Sequence, residues 1–134
     1  MPKATGSFQV SSWDEDAYEQ LDGGGKLTRA TVAQTFTGDL AGEGAVQWLM
    51  SYREDGTAHF VGLQRVTGTV DDRTGSLVLE NVGDFDGKVA GGTWTVVPGS
   101  GSGDLAGITG EGSFTAPFGS EAAYELDYRL DGPR

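Results

Sequence analysis

Apolar and polar residues alternate along most of this chain, in short runs broken by glycine, aspartate and serine. A period of two puts every second side chain on one face of a strand. Eight such segments follow one another: Gly6–Trp13, Leu27–Gly38, Gly42–Arg53, Thr57–Val70, Gly75–Phe85, Lys88–Val97, Gly110–Ala116 and Ala122–Leu130. Asp55-Gly56 and Asp86-Gly87 read as two-residue hairpin turns, and Asp22–Gly25 and Asp71–Thr74 as looser ones. Only Trp13–Leu21 offers a turn or two of helix, and its acidic, irregular pattern does not require one. Consecutive hairpins make a meander, and closing it removes the exposed edges of an open sheet. The predicted fold is all-β. One domain spans residues 1–134, with its core at about 6–130, as a small closed eight-stranded antiparallel meander barrel.

The tight turns decide which side chains share a face. About Asp55-Gly56, Tyr52 opposes His59 and Gln47 opposes Gln64. That register groups Trp48, Met50, Val61 and Leu63 on one face, and Gln47, Arg53, Phe60 and Gln64 on the other. About Asp86-Gly87, Leu79 opposes Trp94 and Leu77 opposes Val96 on the drier side of that hairpin. A regular four-residue loop at Asp71–Thr74 pairs Val66 with Leu79 and sets Arg65 beside Glu80 as an outward ion pair, whereas a bulge there exchanges the faces. The regular register predicts an interior containing Gln47, Arg53, Phe60, Gln64, Leu79, Asn81 and Trp94. It leaves Trp48, Met50, Val61 and Leu63 outside, a patch that suits a subunit interface, so a homo-oligomer is expected.

Composition narrows the chemistry. Of 134 residues 23 are glycine, yet no three-residue glycine period exists, which excludes collagen. Three Trp, four Tyr and six Phe argue against disorder. Nine basic against twenty acidic side chains give a net charge of −11, which repels nucleic acid and anionic membrane surfaces. No cysteine is present, which rules out disulfides, thiolate metal sites and a cysteine nucleophile. One histidine, His59, cannot build a multi-histidine zinc or iron site, so no metal and no cofactor are expected. The first residues carry no signal-peptide pattern and no stretch reaches membrane-spanning length, so a cytoplasmic location is expected.

Several motifs dissolve on inspection. Gly101–Ala106 matches a dinucleotide fingerprint in letters, but the following GITGEGSF does not form the helix that chemistry needs. Asp84-Phe85-Asp86-Gly87 opens like a calcium loop, yet Thr95 stands where its bidentate glutamate belongs. Asp14-Glu15-Asp16 reads as a solvated acidic run. His59 lies near a strand end and faces outward, and no serine has a histidine base to form a triad.

Three stretches carry a resemblance: LTRATVAQTFTGDLAGEG (Leu27–Gly44), YREDGTAHFVGLQRVTGTV (Tyr52–Val70) and GTWTVVPGSGSGDLAGITGEGSF (Gly92–Phe114). Together they resemble a bacterial family of unknown function within the allene-oxide-cyclase-like barrels, over about Gly6 to Leu130. The resemblance implies a closed eight-stranded barrel, often oligomeric, in a superfamily whose members shape hydrophobic intermediates without metal or redox cofactor. In that pattern an acidic residue often stands at the Gln64 position and a histidine at the Asn81 position; neutral amides here weaken acid–base chemistry at both. The expected function is binding of a small, largely apolar molecule among Gln47, Arg53, Phe60, Gln64, Leu79, Asn81 and Trp94. A cofactor-free cyclisation or isomerisation is the matching reaction class if the protein is an enzyme. The alternative is a non-enzymatic oligomeric module with a filled barrel.

Overall fold

The structure, a computed structural model, describes residues 2–117 and 120–130. Its strands are β1 (Lys3–Gln20), β2 (Lys26–Gly38), β3 (Leu40–Tyr52), β4 (Ala58–Val70), β5 (Arg73–Phe85), β6 (Val89–Val96), β7 (Ser102–Gly103), β8 (Thr109–Pro117) and β9 (Ala122–Arg129). Every pairing is antiparallel. Neighbours in sequence pair in turn and β9 returns to β1, so the eight long strands close as a meander barrel. The short β7 adds to the start of β5, opposite Gly75 and Ser76. Among the described residues no helix is long and apolar enough to cross a membrane.

The Trp13–Leu21 stretch, open to a helical turn in the sequence, is strand: β1 runs on to Gln20 against β2. Alternation there is interrupted by shifts at Val10/Ser12 and Ala17/Glu19, and these are what spoil the period-two pattern.

Turn chemistry corrects the expected registers. Asp55-Gly56 is not a two-residue turn. Gly56 has φ +88° and its N–H donates to the Arg53 carbonyl at 3.0 Å, while Arg53 N–H donates to Thr57 O at 2.8 Å. The resulting five-residue connection pairs Tyr52 with Ala58 and Met50 with Phe60, one residue away from the expected register. A slip of one turns a strand over. Trp48 and Met50 therefore face inward, and Gln47 faces out, opposite Leu63.

At β4–β5 the turn is the pair Asp71-Asp72, with φ of 47° and 74°, a left-handed geometry that aspartate tolerates. Val66 then pairs with Leu77, and Gln64 with Leu79, two residues from the expected register. Asp86 accepts the N–H groups of Lys88 and Val89 at 2.8 Å, lengthening the next turn, so Asn81 pairs with Trp94. Shifts of two preserve the faces: Phe60, Gln64, Leu79, Asn81 and Trp94 are all buried inside as predicted. The predicted Arg65–Glu80 ion pair does not form, because Arg65 sits opposite Val78 and donates to Ser76 Oγ at 3.4 Å.

The end of the barrel holding the β2–β3 and β4–β5 turns is filled. Leu40, Val70, Leu77 and Leu126 pack there, closed over by Leu105 and Ile108 from the β6–β8 connection. Gly101–Ala106 thus supplies Leu105 to the plug and the β7 pairing, and strand β8, not a helix, follows it. Tyr124 fastens the β2–β3 bend: its hydroxyl accepts Leu40 N–H at 2.9 Å and lies 2.8–2.9 Å from the carbonyls of Leu40 and Thr37.

Candidate functional site

The open end is shaped by a mismatch in strand length. β9 pairs with β1 only from Lys3 to Phe8, while β1 continues to Gln20 along β2. A cavity of about 720 Å³ opens where the two strands part. The bulge between Val10 and Ser12 resets the phase of β1. Trp13 then stands beside Val32 and Glu15 beside Ala30, both partners lying in the inward row of β2. With unbroken alternation through Ser11, Ser12 and Asp14 would point in instead.

The floor of this cup is aromatic. Phe8, Phe60 and Phe114 line it and rest on one another and on buried Trp94, with Phe8–Trp94 centroids at 6.2 Å and Trp94–Phe114 at 5.7 Å. Met50, Phe85, Ala90, Ala116 and Ala122 build the walls. At the mouth Trp13 meets Trp48, centroids 5.7 Å apart and planes tilted by 52°. Gly62 makes room for the Trp48 indole: a Cβ there would lie 2.6 Å from Trp48 Cδ1 and 2.2 Å from the Gln47 carbonyl oxygen.

Besides Gln9, Ser120 and Glu121, two polar side chains line the cavity, Glu15 and Tyr52. The Glu15 carboxylate accepts Trp13 Nε1–H at 3.0 Å and the Thr28 hydroxyl at 2.6 Å, both neutral donors. Tyr52 is the second; burial, then the nearby carboxylate of Glu15, push its phenol up to about 12, and its hydroxyl lies 3.9 Å from Met50 Sδ. That phenol holds its proton at neutral pH and serves as a donor. Among the described residues no three His, Asp or Glu side chains gather as a metal-binding group.

Beneath the floor runs a buried amide chain. Trp48 and Trp94 both donate their indole N–H to Asn81 Oδ1 at 3.2 Å. Asn81 Nδ2 donates to Gln64 Oε1 at 3.3 Å, and Gln64 Nε2 donates to Gln34 Oε1. The chain stops at Gln34 Nε2, which has no partner among the described residues. Gln64 and Asn81 are buried within this chain and do not line the cup.

Of the seven side chains expected to hold a ligand, Phe60 alone lines the cavity. Gln64, Leu79, Asn81 and Trp94 are buried below it, Gln47 lies on the outer face, and Arg53 is in the β3–β4 connection, 3.8 Å from exposed Asp84. His59 is also outside, its Nδ1 3.0 Å from Asp84. Sequence reasoning missed Trp13, Glu15, Trp48 and Tyr52. The signal was Trp13 itself, a large apolar residue heading the acidic run Asp14-Glu15-Asp16, whose middle member turns inward.

Comparison with known proteins agrees with this architecture. A family model described as protein of unknown function, DUF3224, matches residues 4–128. The chain is similar to a protein of unknown function from the same family in Shewanella oneidensis MR-1, known from a crystal structure. The two share 29% identity with a TM-score of 0.84, over 98% of this chain and 99% of that one. No curated protein matches the chain.

Proposed function

The chain belongs to the DUF3224 family of proteins of unknown function, and from its geometry we propose that the barrel binds a small, largely apolar molecule in the cup. One observation carries this reading: about 720 Å³ of cavity, floored by three phenylalanines and bordered by two tryptophans, lies at the open end of an otherwise filled barrel. Pockets of this size and lining bury most of a drug-sized ligand, with a few polar groups fixing its orientation. Glu15 and Tyr52 supply that orientation. The resemblance to allene-oxide-cyclase-like barrels supports the same reading at the level of fold.

Titration with neutral phenylnaphthylamine, whose fluorescence rises in apolar surroundings, tests it. Saturable one-to-one binding is expected, and Ala116→Trp, which fills the cup from the β8 wall, abolishes it. No saturable binding, or binding indifferent to Ala116→Trp, overturns the reading.

Two extensions follow from specific observations. A carboxylate and a protonated phenol facing one apolar cavity form an acid–base pair, which favours a cofactor-free isomerisation or cyclisation over any other turnover. Homo-oligomer formation keeps Val61 and Leu63 of the patch the sequence suggested, without Trp48 and Met50. Trp48 and Met50 are inside, and Leu49, Val61 and Val82 instead form an exposed apolar row across β3, β4 and β5, with Leu63 beside it at 59% exposure.

A further inference from the structure

We infer that the cup selects ligands whose polar end is a cation, an amine or quaternary ammonium group beside an apolar body. This rests on the proposal that the cup holds a small apolar molecule, and adds the charge of its head group.

Glu15 is the reason. Its two hydrogen-bond donors, Trp13 Nε1 and the Thr28 hydroxyl, are neutral, so they fix the carboxylate without cancelling its charge. Among the described residues no Lys, Arg or His nitrogen lies within 4.0 Å of it. No basic side chain among the described residues lines the cavity; the other charged group there is Glu121 at the rim, which accepts from Gln9 Nε2 at 3.3 Å. A carboxylate facing an apolar space gains most from an opposite charge that arrives with the ligand.

The surroundings of Glu15 suit the same group. Trp13 and Trp48 both line the cavity beside it, and tryptophan faces are the best π surface for an ammonium ion. Tyr52 already attracts one: Lys26 Nζ rests 5.2 Å from its ring centroid, although Lys26 does not line the cavity. The net charge of −11 adds a field that draws cations toward the protein and repels carboxylates and phosphates. Carboxylate, two indoles and an acidic surface act in the same direction.

The test uses three probes with one apolar body, phenylbutyltrimethylammonium, phenylbutanol and phenylbutyrate, each displacing phenylnaphthylamine from the intact protein. The cation is expected to bind about tenfold tighter than the alcohol, and the carboxylate about tenfold weaker than it. Glu15→Gln, nearly isosteric and still able to accept the Trp13 hydrogen bond, brings the cation down to the alcohol's affinity. An unaltered far-ultraviolet circular dichroism spectrum of this variant reports an intact fold. Binding of the alcohol with no preference for the cation, or a preference that survives Glu15→Gln, overturns the inference while the apolar cup stands. Failure of all probes, phenylnaphthylamine included, removes the cup reading and this inference with it.

Discussion

Asn81 accepts the indole N–H of Trp48 at 3.2 Å, and through that one bond the wall of the cup is tied to the filled half of the barrel. Trp94 donates to the same oxygen from the other side, at 3.2 Å. One buried amide thus fixes two tryptophans, one in the cavity wall and one under its floor.

Replacing Asn81 by leucine removes the acceptor of two buried indole donors and the partner of Gln64. Each unmade buried hydrogen bond costs about 1–3 kcal/mol. A loss of about 2–4 kcal/mol is expected in urea unfolding, together with weaker phenylnaphthylamine binding as Trp48 loses its anchor. A loss below about 1 kcal/mol would mean that the indoles find other partners.

Gly62→Ala should be costly despite its ordinary backbone. The new methyl meets the Gln47 carbonyl oxygen at 2.2 Å and the Trp48 ring at 2.6 Å, so strand β4 or the indole must move. Overpacking of this kind costs about 1–3 kcal/mol. Gly56→Ala is a different case, since nothing lies near that Cβ and only its φ of +88° opposes the change. The larger unfolding shift, and any change in near-ultraviolet circular dichroism from Trp48, belongs to Gly62→Ala.

Stability should fall on the alkaline side. Burial, then the hydrogen bond to Asp71, push Tyr128 up to about 12, Tyr52 reaches about 12 for the reasons given above, and burial raises Tyr124. Unfolded tyrosine titrates near 10. Between these values the unfolded chain loses protons that the folded one retains, so unfolding becomes easier as pH rises. The contribution is complete below about pH 10 and disappears as pH passes about 12. Urea midpoints measured across that window should decline, and less steeply in Tyr128→Phe. A flat profile would contradict these protonation states.

The outer row of Leu49, Val61 and Val82 gives an oligomer prediction. Sedimentation should show a species larger than one chain, and Val61→Lys should return it to monomer while cup binding stays intact. A wild-type protein that sediments as a monomer over a wide concentration range would remove the interface.

Much of this molecule is legible in its sequence, and the exceptions have a common cause. Alternation located all eight barrel strands, and Phe60, Gln64, Leu79, Asn81 and Trp94 were correctly placed inside. The registers about β5 were wrong by two residues, which leaves side chains on their faces. The error about Gly56 was a single residue, so Gln47 exchanged places with Trp48 and Met50. A second extra residue, Ser11, turned Glu15 from the surface into the cup. Alternation carries fold well because it averages over many residues. A site depends on the phase at one or two positions, and a single bulge, with no strong signal of its own, resets that phase.

The cup itself is tested most directly by the indole N–H resonances of the three tryptophans. Trp13 and Trp48 line the cavity, and Trp94 lies beneath its floor. Titration of the nitrogen-15-labelled protein with phenylnaphthylamine should shift the Trp13 and Trp48 signals along one saturable curve and leave Trp94 almost unmoved. Resonances that stay fixed, or shifts confined to backbone amides around Leu49, Val61 and Val82, would contradict a ligand site in the barrel mouth.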